Sequence, residues 1–182
     1  MKLRPGRAVR TLNSQAWARY SVKKPKKNYI RAKPHTALIV FKMGVKKDDY
    51  DLTLRLNVEQ DLQLRSNAIE SARQAANKYL EEKIPGSYYM RIVPFPHAVL
   101  REKKMATGAG ADRISQGMTL SFGKAAAMAA RIYTGQTIFE LNTMTENKEF
   151  AKTALKRAAS HMSGTYKIVA EEKTPMQKGE AA

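Results

Sequence analysis

The chain has no cysteine, which removes a disulfide scaffold, a thiolate zinc site and a cysteine nucleophile together. It has no long apolar run either. The longest, Ala37–Phe41 and Ala125–Ala130, fall far short of the ~20 residues that a spanning helix needs. Histidine is scarce, and His35, His97 and His161 are dispersed outside any metal-ligand or nucleophile spacing. Phosphate-loop signatures are missing. Gly108-Ala109-Gly110 is followed by Arg113 where a dinucleotide fingerprint needs a third glycine, and Gly123-Lys124 is followed by Ala125 rather than Ser or Thr. Acid is absent from the first 47 residues; the first carboxylate is Asp48. The acidic pairs further on, Asp48/Asp49 and Glu81/Glu82, sit beside lysines as solvated surface does. These absences leave no general base with an orienting partner, and so no enzyme, no metal and no cofactor.

What is present is positive charge. The 182 residues carry 33 Lys and Arg against 16 Asp and Glu, a net of +17, in a chain long enough for one domain and its tails. Fourteen of the 33 basic residues lie in residues 1–47, so the rest of the chain has 19 basic and 16 acidic groups, a net of only +3. Like charges repel, so this imbalance points to a polyanionic partner. Pro5, Pro25 and Pro34 break residues 1–36, and no helical or strand period persists there. Trp17, Tyr20 and Tyr29 are interleaved with Arg19, Lys23, Lys24, Lys27 and Arg31, a mixture in which cations meet phosphates and flat rings stack on unpaired bases. A solvated tail and an organelle presequence are the blander accounts of an acid-poor arm. The Lys23–Lys27 cluster and the prolines oppose the amphipathic helix of a presequence.

From Ala37 the pattern predicts a folded body. Ala37–Met43 reads as a short buried strand. Residues 51–59 alternate, with Leu52, Leu54, Leu56 and Val58 on one face. A helix follows, capped by Ser66 or Asn67, with Glu70 near its third position. Ile69, Ala72, Ala76, Tyr79 and Leu80 face the sheet, and Pro85-Gly86 stops it. Ser87–Val93 and Pro96–Arg101 read as strands separated by a kink at Pro94 and Pro96. Ala129–Tyr133 and Thr137–Leu141 read as a hairpin around Thr134-Gly135-Gln136. Glu146–Ala159 reads as a helix with Phe150, Ala151, Ala154, Leu155 and Ala158 inward, and Thr165–Ala170 as a last strand. The class is α+β: two amphipathic helices on a largely antiparallel sheet, with a basic extended arm at 1–36, one domain at 37–170 and a flexible tail at 171–182.

Residues 102–124 stand apart. They hold four of the ten glycines, Gly108, Gly110, Gly117 and Gly123, flanked by Lys103, Lys104, Arg113 and Lys124. A structureless stretch of this length inside a domain is usually functional or disordered, and glycines let a backbone approach phosphates closely.

The string Lys104-Met105, Ala109-Gly110-Ala111-Asp112-Arg113, Gly117-Met118, Phe122-Gly123-Lys124 and Ala130-Arg131 continues with Gly135-Gln136, Asn147-Lys148-Glu149 and Ala154-Leu155. With Arg4-Pro5 and Ala75-Ala76-Asn77-Lys78-Tyr79, it resembles the archaeal and eukaryotic ribosomal protein L-ten-e, the counterpart of bacterial L-sixteen, over residues 1 to about 170. The archaeal form fits better, since eukaryotic members continue further and this chain stops after a short polar tail; the N-terminal cysteines of eukaryotic members are also absent, which leaves the RNA-binding expectation untouched. The Ala125–Ala130 run is richer in alanine than the family pattern.

The resemblance implies an α/β-hammerhead fold in a cytoplasmic large ribosomal subunit, beside other large-subunit proteins. It implies binding to large-subunit rRNA near the A site and the peptidyl transferase centre. On that reading Arg4, Arg7, Arg10, Arg19, Lys23, Lys24, Lys27, Arg31, Lys124 and Arg131 neutralise rRNA phosphates, while Trp17, Tyr20 and Tyr29 stack. The loop around Lys103, Lys104, Met105, Gly108, Gly110, Asp112 and Arg113 reaches toward the tRNA acceptor ends, supporting tRNA positioning and late assembly. No membrane and no small-molecule substrate is implied. The rivals are a transient assembly factor or RNA-processing enzyme and, more weakly, a chromosomal DNA-binding protein.

Overall fold

Four apolar residues spaced by two create the strand around which the molecule is organised. In the computed structural model, which describes residues 33–102, 108–114 and 123–172, β2 (Leu52–Val58) buries Leu52, Leu54, Leu56 and Val58 completely or nearly so. Each such leucine contributes about 1.5–3 kcal/mol by leaving water. Thr53, on the opposite face, is also buried. β2 lies between β7 (Thr137–Thr143) and β8 (Tyr166–Glu172); β7 pairs next with β4 (Tyr88–Ile92), and β4 with β1 (Lys42–Gly44). The result is a five-stranded antiparallel sheet ordered β1-β4-β7-β2-β8. A second antiparallel sheet holds β3 (Leu62–Arg65), β6 (Lys124–Ile132) and β5 (Ala98–Glu102) in the order β3-β6-β5.

Helices α1 (Ser66–Lys83) and α3 (Lys148–Ser160) cover the core. Ala72 and Ala76 are among the buried residues of α1, Ala151, Ala154 and Ala158 make up most of the buried face of α3, and the two helices pack against each other. Leu80, Ile69 and Leu155 complete a cluster with β2, Met90, Phe139 and Leu141. The Arg157 guanidinium lies 4.1 Å from the centre of the Tyr79 ring, joining the helices on the outside. The α+β class and both main helices agree with the sequence pattern.

Several details differ. The expected strand at Ala37–Met43 gives way to β1: Leu38 and Met43 are buried and Phe41 partly so, but Ile39, 71% exposed, and Val40 face outward. Gly44 ends the strand in the left-handed region (φ 80°), where a Cβ would come within 2.2 Å of the Tyr88 carbonyl oxygen. The cap differs too: Ser66 is already helical, its Oγ accepts a long 3.5 Å bond from the Ala37 N–H, and Glu70 bonds Arg73 and Gln74. Phe150 is 41% exposed rather than inward. β8 continues past Ala170 to Glu172 because Arg55 binds Glu171 and Lys148 binds Glu172.

The largest correction concerns the hairpin. β6 and β7 do not pair; each belongs to a different sheet. The turn between them closes locally, Gln136 N–H donating to Tyr133 O, but its other donors reach elsewhere. Gly135 N–H donates to Val58 O (2.7 Å), and Thr134 donates from both N–H and Oγ1 to the Asp61 carboxylate at 2.9 and 3.0 Å. The stretch from Val93 to His97 likewise carries the chain from the large sheet to the small one. β3, absent from the sequence reading, is four residues long and runs straight into α1 with no loop to announce it.

Candidate nucleic-acid interface

Several carboxylates of the body are engaged by its own cations. Glu140 pairs with Arg91 and, at 3.9 Å, with Arg55; Arg55 also pairs with Glu171 at 2.6 Å. Lys148–Glu172 and Lys152–Glu149 lie at 2.9 and 3.0 Å, and Glu70–Arg73 at 2.6 Å. The Arg73 hydrogen bond holds the Glu70 carboxyl below the usual carboxylate range, and Lys148 does the same for Glu172. By composition, most of the cation surplus lies before Asp48. Arg4, Arg7, Arg10, Trp17, Arg19, Tyr20, Lys23, Lys24, Lys27, Tyr29 and Arg31 lie outside the described residues.

The glycine-rich segment leaves from the end of β5 and returns at the start of β6, where Glu102 and Lys124 stand opposite each other. Its two ends are thus held on neighbouring strands. Gly108 (φ 134°) and Gly110 (φ 76°) adopt left-handed backbone with open space beside them, so glycine is needed there for conformation rather than room. They lead into a single helical turn, α2 (Ala111–Ile114), closed by Ala111 N–H to Gly108 O and Arg113 N–H to Gly110 O. Part of a stretch read as structureless is therefore ordered. Arg113 is exposed. Lys103, Lys104 and Met105 lie outside the described residues, as does the Asp112 side chain.

Lys124 is exposed at the start of β6, and Arg131 is half-buried near its end, opposite Gln63. Seven residues of strand separate them by about 20 Å, so they mark two positions and not one pocket. The unusual alanines have a use: Ala129 and Ala130 point to opposite faces, both are buried, and β6 is the middle strand of its sheet. Among the histidines, His35 and His97 are exposed, and His161 Nδ1 lies 2.8 Å from Ser71 Oγ at the helix pair. Glu81 is more than solvated surface, since it accepts from Asn77 and from the Tyr88 hydroxyl. Among the described residues no group of three His, Asp or Glu converges to hold a metal, and no helix is long and apolar enough to cross a membrane.

Two positions escaped the sequence reading. Arg65 lies on the same face of the small sheet as Arg131, through a register that a missed strand conceals. Phe95, expected only as part of a kink, is 59% exposed. Taken together, the arrangement offers cations and a glycine-rich excursion, which suits a polyanion.

Comparison with known proteins gives this arrangement a lineage. Residues 18–169 match the family described as ribosomal protein L16p/L10e. A large ribosomal subunit protein uL16 from Methanococcus aeolicus is 45% identical over 170 residues, 93% of this chain and 94% of that one. Its namesakes from Archaeoglobus fulgidus and Thermofilum pendens are 42% and 39% identical, over 91% and 94% of this chain and 96% and 99% of their own lengths. The chain belongs to the ribosomal protein L16p/L10e family, a family of ribosome constituents and not of enzymes.

Proposed function

We propose that this protein is a structural constituent of the cytoplasmic large ribosomal subunit, holding large-subunit rRNA near the A site and peptidyl transferase centre. The arm of residues 1–36 threads into rRNA: Arg4, Arg7, Arg10, Arg19, Lys23, Lys24, Lys27 and Arg31 neutralise phosphates, and Trp17, Tyr20 and Tyr29 stack on bases. Lys124 and Arg131 add contacts from β6. The 102–116 loop, with Lys103, Lys104, Met105, Gly108, Gly110, Asp112 and Arg113, reaches toward the tRNA acceptor ends, where it supports tRNA positioning and late assembly. Other large-subunit proteins are its neighbours.

The observation that carries this reading is the partition of charge. Residues 48–182 carry 19 cations against 16 acids, several of them paired with one another, whereas residues 1–47 hold fourteen cations and no acid. Only a polyanion offsets such a segment. The left-handed glycines at 108 and 110, held between two anchored strand ends, support a loop that approaches a partner closely.

Sedimentation of a lysate through a sucrose gradient after a high-salt wash tests the reading. Stoichiometric recovery with the large subunit is expected. Recovery in the soluble fraction, or only with immature particles, would replace it with a transient assembly factor or processing enzyme. Deleting residues 105–112 is expected to leave the fold intact and to impair translation or subunit maturation. Unfolding of that variant would make the loop structural instead.

A further inference from the structure

At the edge of the five-stranded sheet two aromatic rings stack outward from the core. Phe41 packs one side against the core cluster, and the Phe95 ring lies over it with centroids 5.6 Å apart and planes inclined by 23°. Phe95 is the outer ring, 59% exposed. A buried aromatic normally finishes its packing inside, and an exposed one normally swings free. Phe95 does neither.

Its backbone is held from both sides. Pro94 and Pro96 flank it, each with φ confined by its ring, and Pro96 is buried. His97 Nδ1–H donates to the Phe95 carbonyl at 3.0 Å, and Val93 N–H donates to Ile138 O at 3.0 Å. The open ring face is therefore set in place before anything meets it, which lowers the ordering cost of binding.

The surroundings select the partner. The ring pair sits where the acid-free segment enters the fold: no carboxylate precedes Asp48. Lys42, the residue after Phe41, points to the other face of the edge strand β1, where it is exposed and stands directly opposite Arg91 on β4. Cations facing each other across a strand pair are unfavourable, and Arg91 is already engaged with Glu140. Glu140 thus answers Arg91, and a phosphate at the sheet edge answers Lys42. A planar group on Phe95 extends the two-ring stack to three.

We propose that Phe95 is a base-stacking contact for an unpaired rRNA nucleobase, with Lys42, on the other face of the same sheet edge, neutralising a phosphate of the adjoining backbone. This rests on the rRNA-binding reading above and adds a contact on the folded body. Base–aromatic stacking depends on ring faces, tolerates sequence and does not depend on counterion release, whereas the lysine contact does.

The test is equilibrium binding of the full-length protein to deproteinised large-subunit rRNA across a series of salt concentrations. Phe95→Leu is expected to weaken binding by about fivefold to a hundredfold with an unchanged salt slope, and Phe95→Trp to restore it. Lys42→Ala is expected to reduce the slope by about one. The exposure of Phe95 favours folding of these variants, with Phe95→Trp as the check should Phe95→Leu unfold: weak binding by a folded Phe95→Trp protein overturns the proposal. Wild-type affinity in Phe95→Leu overturns it too and marks the ring as apolar cover for a protein neighbour. Failure of the wild-type chain to bind rRNA overturns the underlying reading, and this contact with it.

Discussion

The N-terminal segment and the folded body handle charge in opposite ways. In the body, a row of side chains crosses the five-stranded sheet, with Arg91 and Arg55 both drawn to Glu140 and Arg55 also held by Glu171. Such exposed pairs contribute about 0–1 kcal/mol each, but they leave little net field. The segment before Asp48 has no carboxylate with which to do the same. One region pairs much of its charge within itself; the other has no acid of its own to pair with. Stability and affinity should therefore respond to different mutations.

The sharpest break in this contrast comes from the segment. Replacing Arg4, Arg7 and Arg10 together by alanine is expected to flatten the salt dependence of rRNA binding by up to ~2.7 log units, at ~0.9 per lost phosphate contact. The thermal midpoint should not move. An unchanged slope in a salt titration would remove these residues from the interface.

The converse mutation lies in the core. Leu54→Ala empties a fully buried site on β2 and is expected to cost about 2–5 kcal/mol in urea denaturation, without altering the salt slope of the folded fraction. Gly44→Ala should come next, at roughly 2 kcal/mol, since it forces a side chain against the Tyr88 carbonyl in a left-handed backbone. A stability equal to wild type at either position would contradict the packing described.

Alkaline pH probes the body more gently. Burial, and then the Glu81 carboxylate, push the Tyr88 phenol up to about 12. A raised pKa means that the fold favours the protonated phenol. The stability this lends is complete below pH ~10 and is lost as pH rises through about 12. Tyr88→Phe should flatten the stability profile in that window; an identical alkaline limb would show that Tyr88 ionisation is not coupled to unfolding. The smallest effect is expected for Lys152→Ala, which breaks an exposed pair with Glu149 and should shift stability by no more than about 0.5 kcal/mol and rRNA affinity not at all. A marked loss of affinity would extend the interface onto α3.

Legibility followed the range of the interactions. The strand at Leu52–Val58 and the buried stripe Ile69, Ala72, Ala76, Tyr79 and Leu80 were readable because each pattern repeats within one element. Pro94 and Pro96 announced a break, but not that it joins two sheets. The turn at Thr134-Gly135 looked like a hairpin because it has a hairpin's residues, yet its donors are satisfied by Val58 and Asp61, more than seventy positions away in the chain. β3 was invisible since four residues hold too little periodicity to register. At the candidate interface, composition exposed the basic segment and glycine content exposed the loop. The ring pair at Phe41 and Phe95 had no sequence signal, because its two halves lie 54 positions apart.

The sequence by itself determined that a strongly cationic N-terminal segment precedes a nearly balanced stretch from Asp48 onward, that the body is α+β, and, through its motif string, which family it belongs to. These are properties of composition and local period, which need no contact map. Only the tertiary structure decided that there are two sheets, that β6 and β7 part between them, and that Phe95 stands open on Phe41. Each depends on which distant strand offers a hydrogen-bond edge or a ring face, and that choice is made by packing the whole chain at once.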